Sequence, residues 1–426
     1  MRIMVLGAGG FIGRHVLSEL SAAGHDIVAV VRRSREIERA FPQVTFVERD
    51  LARATGKQGW LPLLSDIDMI VNAAGLLRGR DLQAVHVAMP EALHAAALDA
   101  GVRRVVLISA ISARPDVTTD YSLTKLAGEQ ALRECGIDWT ILRPSLVYGD
   151  GSYGGTSLMR GMAGLPFFVP LPGKGDFPFT PIHVRDLARA VRHVCEDPAF
   201  AGQMLEPAGP QTLDLRQLLA RYRGWLGFGK ARFMAVPMPV MRALGRLGDI
   251  AGDGPVSTNS LVQMIAGNAG DGAVFARAIG FEPASLEQAL RDRPAQVQDR
   301  WHARLFFLAP VLKVSLILLW LFSAWLGLTH GAEQTALFVA GMGLPDVLAA
   351  PLRIGSSLLD IGIAALVMFD RRARCATPVQ LAAVAGYTLV IGTALPHLWL
   401  DPLGPLLKNL PVLLAIAVHG AIADKR

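Results

Sequence analysis

The sequence predicts an α/β chain in two parts. A doubly wound parallel sheet with a smaller substrate region comes first, and an all-α bundle of four transmembrane helices follows. Three observations carry this. A glycine-rich turn, Gly7-Ala8-Gly9-Gly10-Phe11-Ile12-Gly13, follows an apolar run within ten residues of the start. Apolar runs and helical patterns alternate through the first 150 residues. Charge density nearly halves near residue 300: residues 1–300 carry 33 Lys/Arg and 30 Asp/Glu, and 301–426 carry 9 and 6. Alternating elements point to a parallel sheet covered on both faces.

The elements follow in order. Ile3–Leu6 is the first strand, and Phe11–Leu20 is a helix with apolar residues at 12, 16, 17 and 20. Five more strands are read at 26–31, 44–47, 68–71, 105–108 and 139–142. Helical patterns lie at Ala84–Ala100, Ser122–Glu134, Val184–Cys195 and Arg216–Tyr222. Residues 149–182 change character, with thirteen glycines and prolines from Gly149 to Pro181. Such a loop-rich stretch after a nucleotide-binding half is where a substrate pocket is built. We therefore expect one domain over 1–300, with its core at 1–148 and a mostly substrate-related region at 149–300.

Beyond residue 300 four apolar runs, 305–328, 347–369, 379–400 and 406–423, are each long enough to cross a bilayer core of about 30 Å. Arg291, Arg293, Arg300 and Arg304 precede the first run. Arg371, Arg372 and Arg374 separate the second from the third, and Lys425 and Arg426 close the chain. The positive-inside rule then places both termini and the 371–378 loop in the cytoplasm, with the chain a multi-pass protein of the inner membrane. Lys313 and Asp360 fall at matched depth, about 12–14 Å by the helical rise of 1.5 Å per residue. They are expected to pair inside the bundle. Arg353 is expected near the headgroups or near Lys408.

Composition excludes several classes. No basic run is interleaved with aromatics, so no nucleic-acid partner is expected. Cys135, Cys195 and Cys375 fit neither a zinc spacing nor a disulfide framework, and no metal is expected. His183, His193, His397 and His419 lack ligand spacing. No signal peptide is expected, because the first strand occupies the N-terminus.

The chemistry begins at the turn. Strand, glycine turn and helix N-terminus form a cradle for a dinucleotide pyrophosphate, through the spacing Gly7, Gly10, Gly13. Gly9, Phe11 and Ile12 belong to the same cradle. The second strand runs into Arg32-Arg33-Ser34 rather than an acidic residue, which suits the 2′-phosphate of NADP(H) better than the free ribose of NAD(H). Asp50 and Leu51 after the third strand sit at cofactor-lining loops. So do Ala73, Ala74 and Gly75 after the fourth, and Pro144 after the sixth. Tyr121 and Lys125, four apart, share one helix face. A cation beside a phenol lowers its pKa and prepares it for proton transfer.

These residues resemble the short-chain dehydrogenase/reductase superfamily, in its extended or atypical NAD(P)-dependent epimerase/dehydratase-like branch. The match comprises Gly7/Gly10/Gly13, Tyr121/Lys125 with Gly128-Glu129, Arg143 to Gly149, and Pro181 to Ala188. The resemblance implies a Rossmann-type sheet, Tyr121 as acid/base, Lys125 as its partner, and a serine near the fifth strand, offered by Ser109 and Ser112. It is also similar to the NADPH-binding accessory subunit of mitochondrial complex I, where the fold serves structure. The tail resembles DoxX-like membrane domains, chiefly through Leu406 to Pro411. The function expected is NADP(H)-dependent hydride transfer at a membrane, on a small molecule that is apolar or lipid-linked. Tyr148, Tyr153 and Phe177 are expected at the substrate. The alternative is a non-catalytic NADPH-binding assembly or redox-sensing protein with a membrane-protein partner.

Overall fold

The computed structural model describes residues 1–151, 154–251, 257–402 and 404–423. The chain divides into two compact units, Met1–Ala303 and Arg304–Arg426. In the first, β1 (Arg2–Leu6), β2 (Asp26–Val31), β3 (Thr45–Glu48), β4 (Met69–Asn72), β5 (Arg104–Ile108) and β6 (Asp138–Leu142) realise the six expected strands. A seventh, Gln203–Leu205, adds to the β6 edge. Three residues with Met204 exposed give no alternation to read, so the sequence argument missed it.

All six pairings are parallel, in the order Gln203–Leu205, β6, β5, β4, β1, β2, β3. Neighbouring β1 and β4 are where the winding reverses, and the crevice beyond their C-terminal ends is the ligand site of such sheets. Alternation sorts β1 between two cores. Ile3 and Val5 pack with Val16, Leu17 and Leu20 of α1 (Phe11–Ala22) and with the helix Val184–Glu196. Met4 and Leu6 pack with Met89, Leu93 and Ala96 of the helix Met89–Asp99.

The helix Asp120–Glu134 is fixed by charge. Glu129, fully buried, accepts from Arg143 Nε at 2.8 Å and Nη2 at 2.6 Å. This bidentate pair ties the helix to the chain leaving β6. Removing one partner of such a buried pair costs about 3–5 kcal/mol, because the other charge stays behind.

In the second unit three helices are long and apolar enough to cross a membrane: Val297–Thr329, Asp346–Phe369 and Ala376–Ala394. The fourth expected span is shorter. Asn409–Ile422 has 14 residues, about 21 Å at 1.5 Å per residue, below the 30 Å core. The third stops at Ala394 because Pro396 opens a separate short turn, Pro396–Trp399. A ten-residue helix, Ala332–Gly341, lies in the first connection, where none was expected.

Lys313 and Asp360 do not pair. Lys313 Nζ donates to the Met368 carbonyl at 3.1 Å, at the C-terminal end of the second helix, where free carbonyls attract a cation. Asp360 instead accepts from Ser323 Oγ at 2.7 Å and Tyr387 Oη at 3.2 Å. Arg353 donates to the Leu328 carbonyl at 2.6 Å and to the Gly327 carbonyl at 3.3 Å. The two helices meet with Ser323 beside Asp360 and Lys313 beside Met368, eight residues or about 12 Å further along, so the two charges lie on one contact at different depths. One test is the charge swap. Lys313→Asp and Asp360→Lys should each lower the melting temperature in detergent, and the double variant should show the sum of the losses; recovery would restore the pair.

Candidate functional site

The site is built first from close backbone approach. Gly7 adopts φ +71°, and the Gly10 N–H closes the turn onto the Gly7 carbonyl at 2.9 Å. A Cβ on Gly7 would lie 2.9 Å from the Ala73 carbonyl oxygen, and one on Gly13 would overlap the Gly7 carbonyl. Only glycine lets β1, the turn and α1 meet here. α1 starts at Phe11 with Gly10 as its cap, no side-chain cap bond and no acid in its first turn. Its N-terminus is thus shaped for a dinucleotide pyrophosphate, and the cradle fits that group.

Beside it, Asn72 Oδ1 accepts the Ala74 N–H at 3.1 Å and sets the turn after β4. Lys125 Nζ donates to the Ile108 carbonyl at 3.0 Å and to the Ala74 carbonyl at 3.4 Å. It packs so near Gly75 that a Cβ there would lie 3.2 Å from the ammonium. Burial lowers the Lys125 pKa to about 8, against the pull of Glu129. The Tyr121 phenol moves opposite to the expectation: burial pushes it up to about 12. The ammonium is spent on carbonyls, and desolvation dominates.

A cavity of about 410 Å³ joins these groups. Gly10, Phe11, Ile12, Gly13, Ala73, Ala74, Gly75, Ser109, Ser112, Tyr121, Lys125 and Pro144 all line it. Both candidate serines are buried, and Ser109 Oγ has no hydrogen-bond partner among the described residues. The far wall is apolar, with Leu158, Met159, Met162, Phe179 and Leu215, and is dotted with Asn259, Gln263 and Asn268. Its charged lining residues are Lys125 and Arg78; the described lining holds no carboxylate.

Other expected residues lie elsewhere. Tyr148 and Phe177 are not in the lining. Tyr148 is buried against His183, ring centroids 5.1 Å apart, and Phe179 takes the cavity-facing position. Tyr153 falls outside the described residues. Arg32 and Arg33 are exposed beyond β2. Ser34 is turned away from solvent: its N–H and hydroxyl donate to Glu48 Oε1 at 2.6 and 2.9 Å. Those bonds, with smaller help from Arg35 and Arg33, hold Glu48 below the usual carboxylate range. Asp50 caps the turn Leu51–Arg53 by accepting from the Ala52 N–H at 3.2 Å.

Sequence reasoning missed His86. It sits in a π-helical turn, Ala84–Ala88, that widens the entry to the helix Met89–Asp99. Nε2 accepts the Leu76 N–H at 3.1 Å, so Nδ1 carries the proton and donates to Thr124 Oγ1 at 2.9 Å. The ring stands edge-on to Tyr121 at 5.7 Å. A Cβ at Gly128 would overlap the His86 carbonyl, so this glycine lets the Tyr121 helix close onto the π turn. A lone imidazole in an apolar helix pattern, eleven residues after Gly75, was the available signal.

Comparison with known proteins agrees with this geometry. The NAD dependent epimerase/dehydratase family matches residues 3–204, and the DoxX-like family matches 317–417. A ceramide reductase of Caulobacter vibrioides is 26% identical over 257 residues, 58% of this chain and 77% of its own. A mitochondrial NADH dehydrogenase [ubiquinone] 1 alpha subcomplex subunit 9 of Mus musculus is 25% identical over 275 residues, 61% of this chain and 70% of its own. A nucleoside-diphosphate-sugar epimerase structure from Staphylococcus aureus superposes with TM-score 0.56 at 18% identity, covering 68% of this chain and all of that one, and shows the shared fold. The family match supports a nicotinamide cofactor for this chain.

His86 gives a pH dependence. Burial first, and the Lys125 charge second, lower its pKa from 6.5 to about 3. Between these values the unfolded chain binds a proton that the folded chain refuses, so stability rises with pH across the window and falls on acidification. Denaturant titrations of the full chain between pH 4.5 and 7 should show a shallower slope for His86→Gln than for wild type. Equal slopes would place the coupling elsewhere.

Proposed function

We propose, from the premise that residues 3–204 belong to the NAD dependent epimerase/dehydratase family, that the chain is a membrane-anchored NADP(H)-dependent oxidoreductase acting on an apolar, lipid-type carbonyl or alcohol. The observation that carries this is one cavity holding the glycine cradle, Tyr121 and Lys125 at one end and an apolar wall at the other. Similarity to a ceramide reductase supports the substrate class.

When bound, the reduced nicotinamide supplies a hydride from its C4 to the carbonyl carbon. The protein's share is positional and protonic. With its pKa near 12, Tyr121 is protonated at neutral pH and donates its proton to the carbonyl oxygen as that oxygen gains charge. Lys125, charged at neutral pH and locked by two carbonyls, stabilises the resulting phenolate. The unpartnered Ser109 hydroxyl offers a second donor to the same oxygen. His86, neutral and bridging Leu76 to Thr124, fixes the ring beside it. Arg32 and Arg33 would hold the cofactor's 2′-phosphate. The first unit and the 371–378 loop lie in the cytoplasm, at the inner membrane.

The second reading, a cofactor-binding assembly subunit, is favoured by the similarity to the complex I subunit. Turnover separates the two. Tyr121→Phe should keep NADPH affinity within about two-fold and lower reduction of a long-chain ketone panel by at least about 100-fold. A wild-type protein that binds NADPH but oxidises it with no member of the panel supports the assembly role.

Cofactor choice is tested separately. Arg32→Ala/Arg33→Ala should weaken NADPH by roughly 10-fold or more and leave NADH nearly unchanged, since each lost phosphate contact is charge-assisted. Equal wild-type affinities in calorimetric titration would reject the 2′-phosphate assignment.

A further inference from the structure

The helix Met238–Ala251 has an apolar face that, among the described residues, stands exposed. Val240, Leu244 and Leu247, spaced i, i+4, i+7, are 48%, 44% and 62% exposed. Its opposite face carries Arg242 and Arg246, both exposed, and among the described residues neither makes an ion pair. Lys230 and Arg232, also exposed, precede the strand Phe233–Val236 that leads into it. The helix is held by another edge. A Cβ on Gly245 would lie 3.2 Å from the Thr258 nitrogen, and Asp249 accepts from the Thr258 N–H at 3.1 Å and hydroxyl at 2.5 Å. The helix's one carboxylate is thereby used within the fold, leaving an apolar stripe on one side and cations on the other.

We propose that Met238–Ala251 is an interfacial helix that lays Val240, Leu244 and Leu247 into the surface of an anionic bilayer. Two facts choose this occupant. The charge left over is positive, and anionic headgroups attract it at about 1 kcal/mol per Lys or Arg. The same chain carries helices long enough to span a membrane, so a bilayer is at hand. An amphipathic helix of this pattern settles about 5–10 Å into the headgroup and acyl boundary. The helix it packs on, Thr258–Ile265, supplies Asn259, Gln263 and Met264 to the cavity wall. Docking therefore brings that wall to the lipid surface and gives an apolar substrate a path from membrane to site. That path rests on the reading of the site above; the docking does not.

The test uses the full chain in lipid nanodiscs, with Cys375→Ser as background. Single variants Leu244→Cys, Leu247→Cys and Arg242→Cys carry a bimane label. NADPH binding checks that each is folded. In phosphatidylglycerol-rich discs, labels at 244 and 247 should be quenched by brominated lipid at least two-fold more than the label at 242, and by aqueous iodide at least two-fold less. Equal iodide quenching at all three positions overturns the proposal. Protection at 244 and 247 from both quenchers also overturns it, since it shows a protein surface on the helix. Lipid quenching that persists unchanged in pure phosphatidylcholine removes the role of the cations. None of these readings depends on turnover, so failure of the enzymatic reading leaves this one standing.

Discussion

Two places where main chain touches main chain decide the geometry of the candidate site. At the first, the Gly7 carbonyl occupies the space a Gly13 side chain would need, so α1 starts against the end of β1. At the second, the His86 carbonyl does the same at Gly128, so the helix with Tyr121 and Lys125 closes on the π turn. Neither contact adds much attraction. Each sets a distance that a methyl group would lengthen, and the chemistry depends on those distances. The β1/β4 crevice gains a helix N-terminus on one side and a buried ammonium on the other.

Charge then fixes what the glycines allow. Lys125 lies deep enough to lose much of its basicity and is kept charged by two strand-end carbonyls and by Glu129, one turn further along the same helix. Glu129 is in turn neutralised by Arg143. Burial would otherwise tilt Lys125 toward its neutral form. The ion pair thus does two things at once, clamping the helix to the chain after β6 and supporting the charge beside Tyr121.

The sheet was legible because buried parallel strands are short apolar runs, and the glycine spacing and Tyr-x-x-x-Lys pointed to residues that the structure gathers around one cavity. What failed shares a cause. Tyr148 and Phe177 were chosen for ring chemistry near a loop, but loop direction decides which side chains face inward, and Phe179 does so instead. Lys313 and Asp360 were matched by counting from the ends of apolar runs, but the first helix starts at Val297 and its register sets Lys313 beside Met368, eight residues past Asp360. His86 escaped notice because its role comes from a π turn, which leaves no spacing to read. The Tyr121 shift was given the wrong sign because proximity in sequence cannot say how fully a group is buried.

Two charges of the second membrane helix, Arg353 and Asp360, reach groups on the first. Asp360 is held by Ser323, with Tyr387 of the third helix beside it, and Arg353 by the carbonyls of Gly327 and Leu328 on Val297–Thr329. A charged residue at the centre of a lone helix raises its insertion free energy by about 2.5–3.5 kcal/mol. The second helix is therefore a poor candidate for entering lipid by itself and a good one for entering alongside the first. Polar contacts of this kind favour entry of the two helices together as a hairpin, each bringing the groups that satisfy the other.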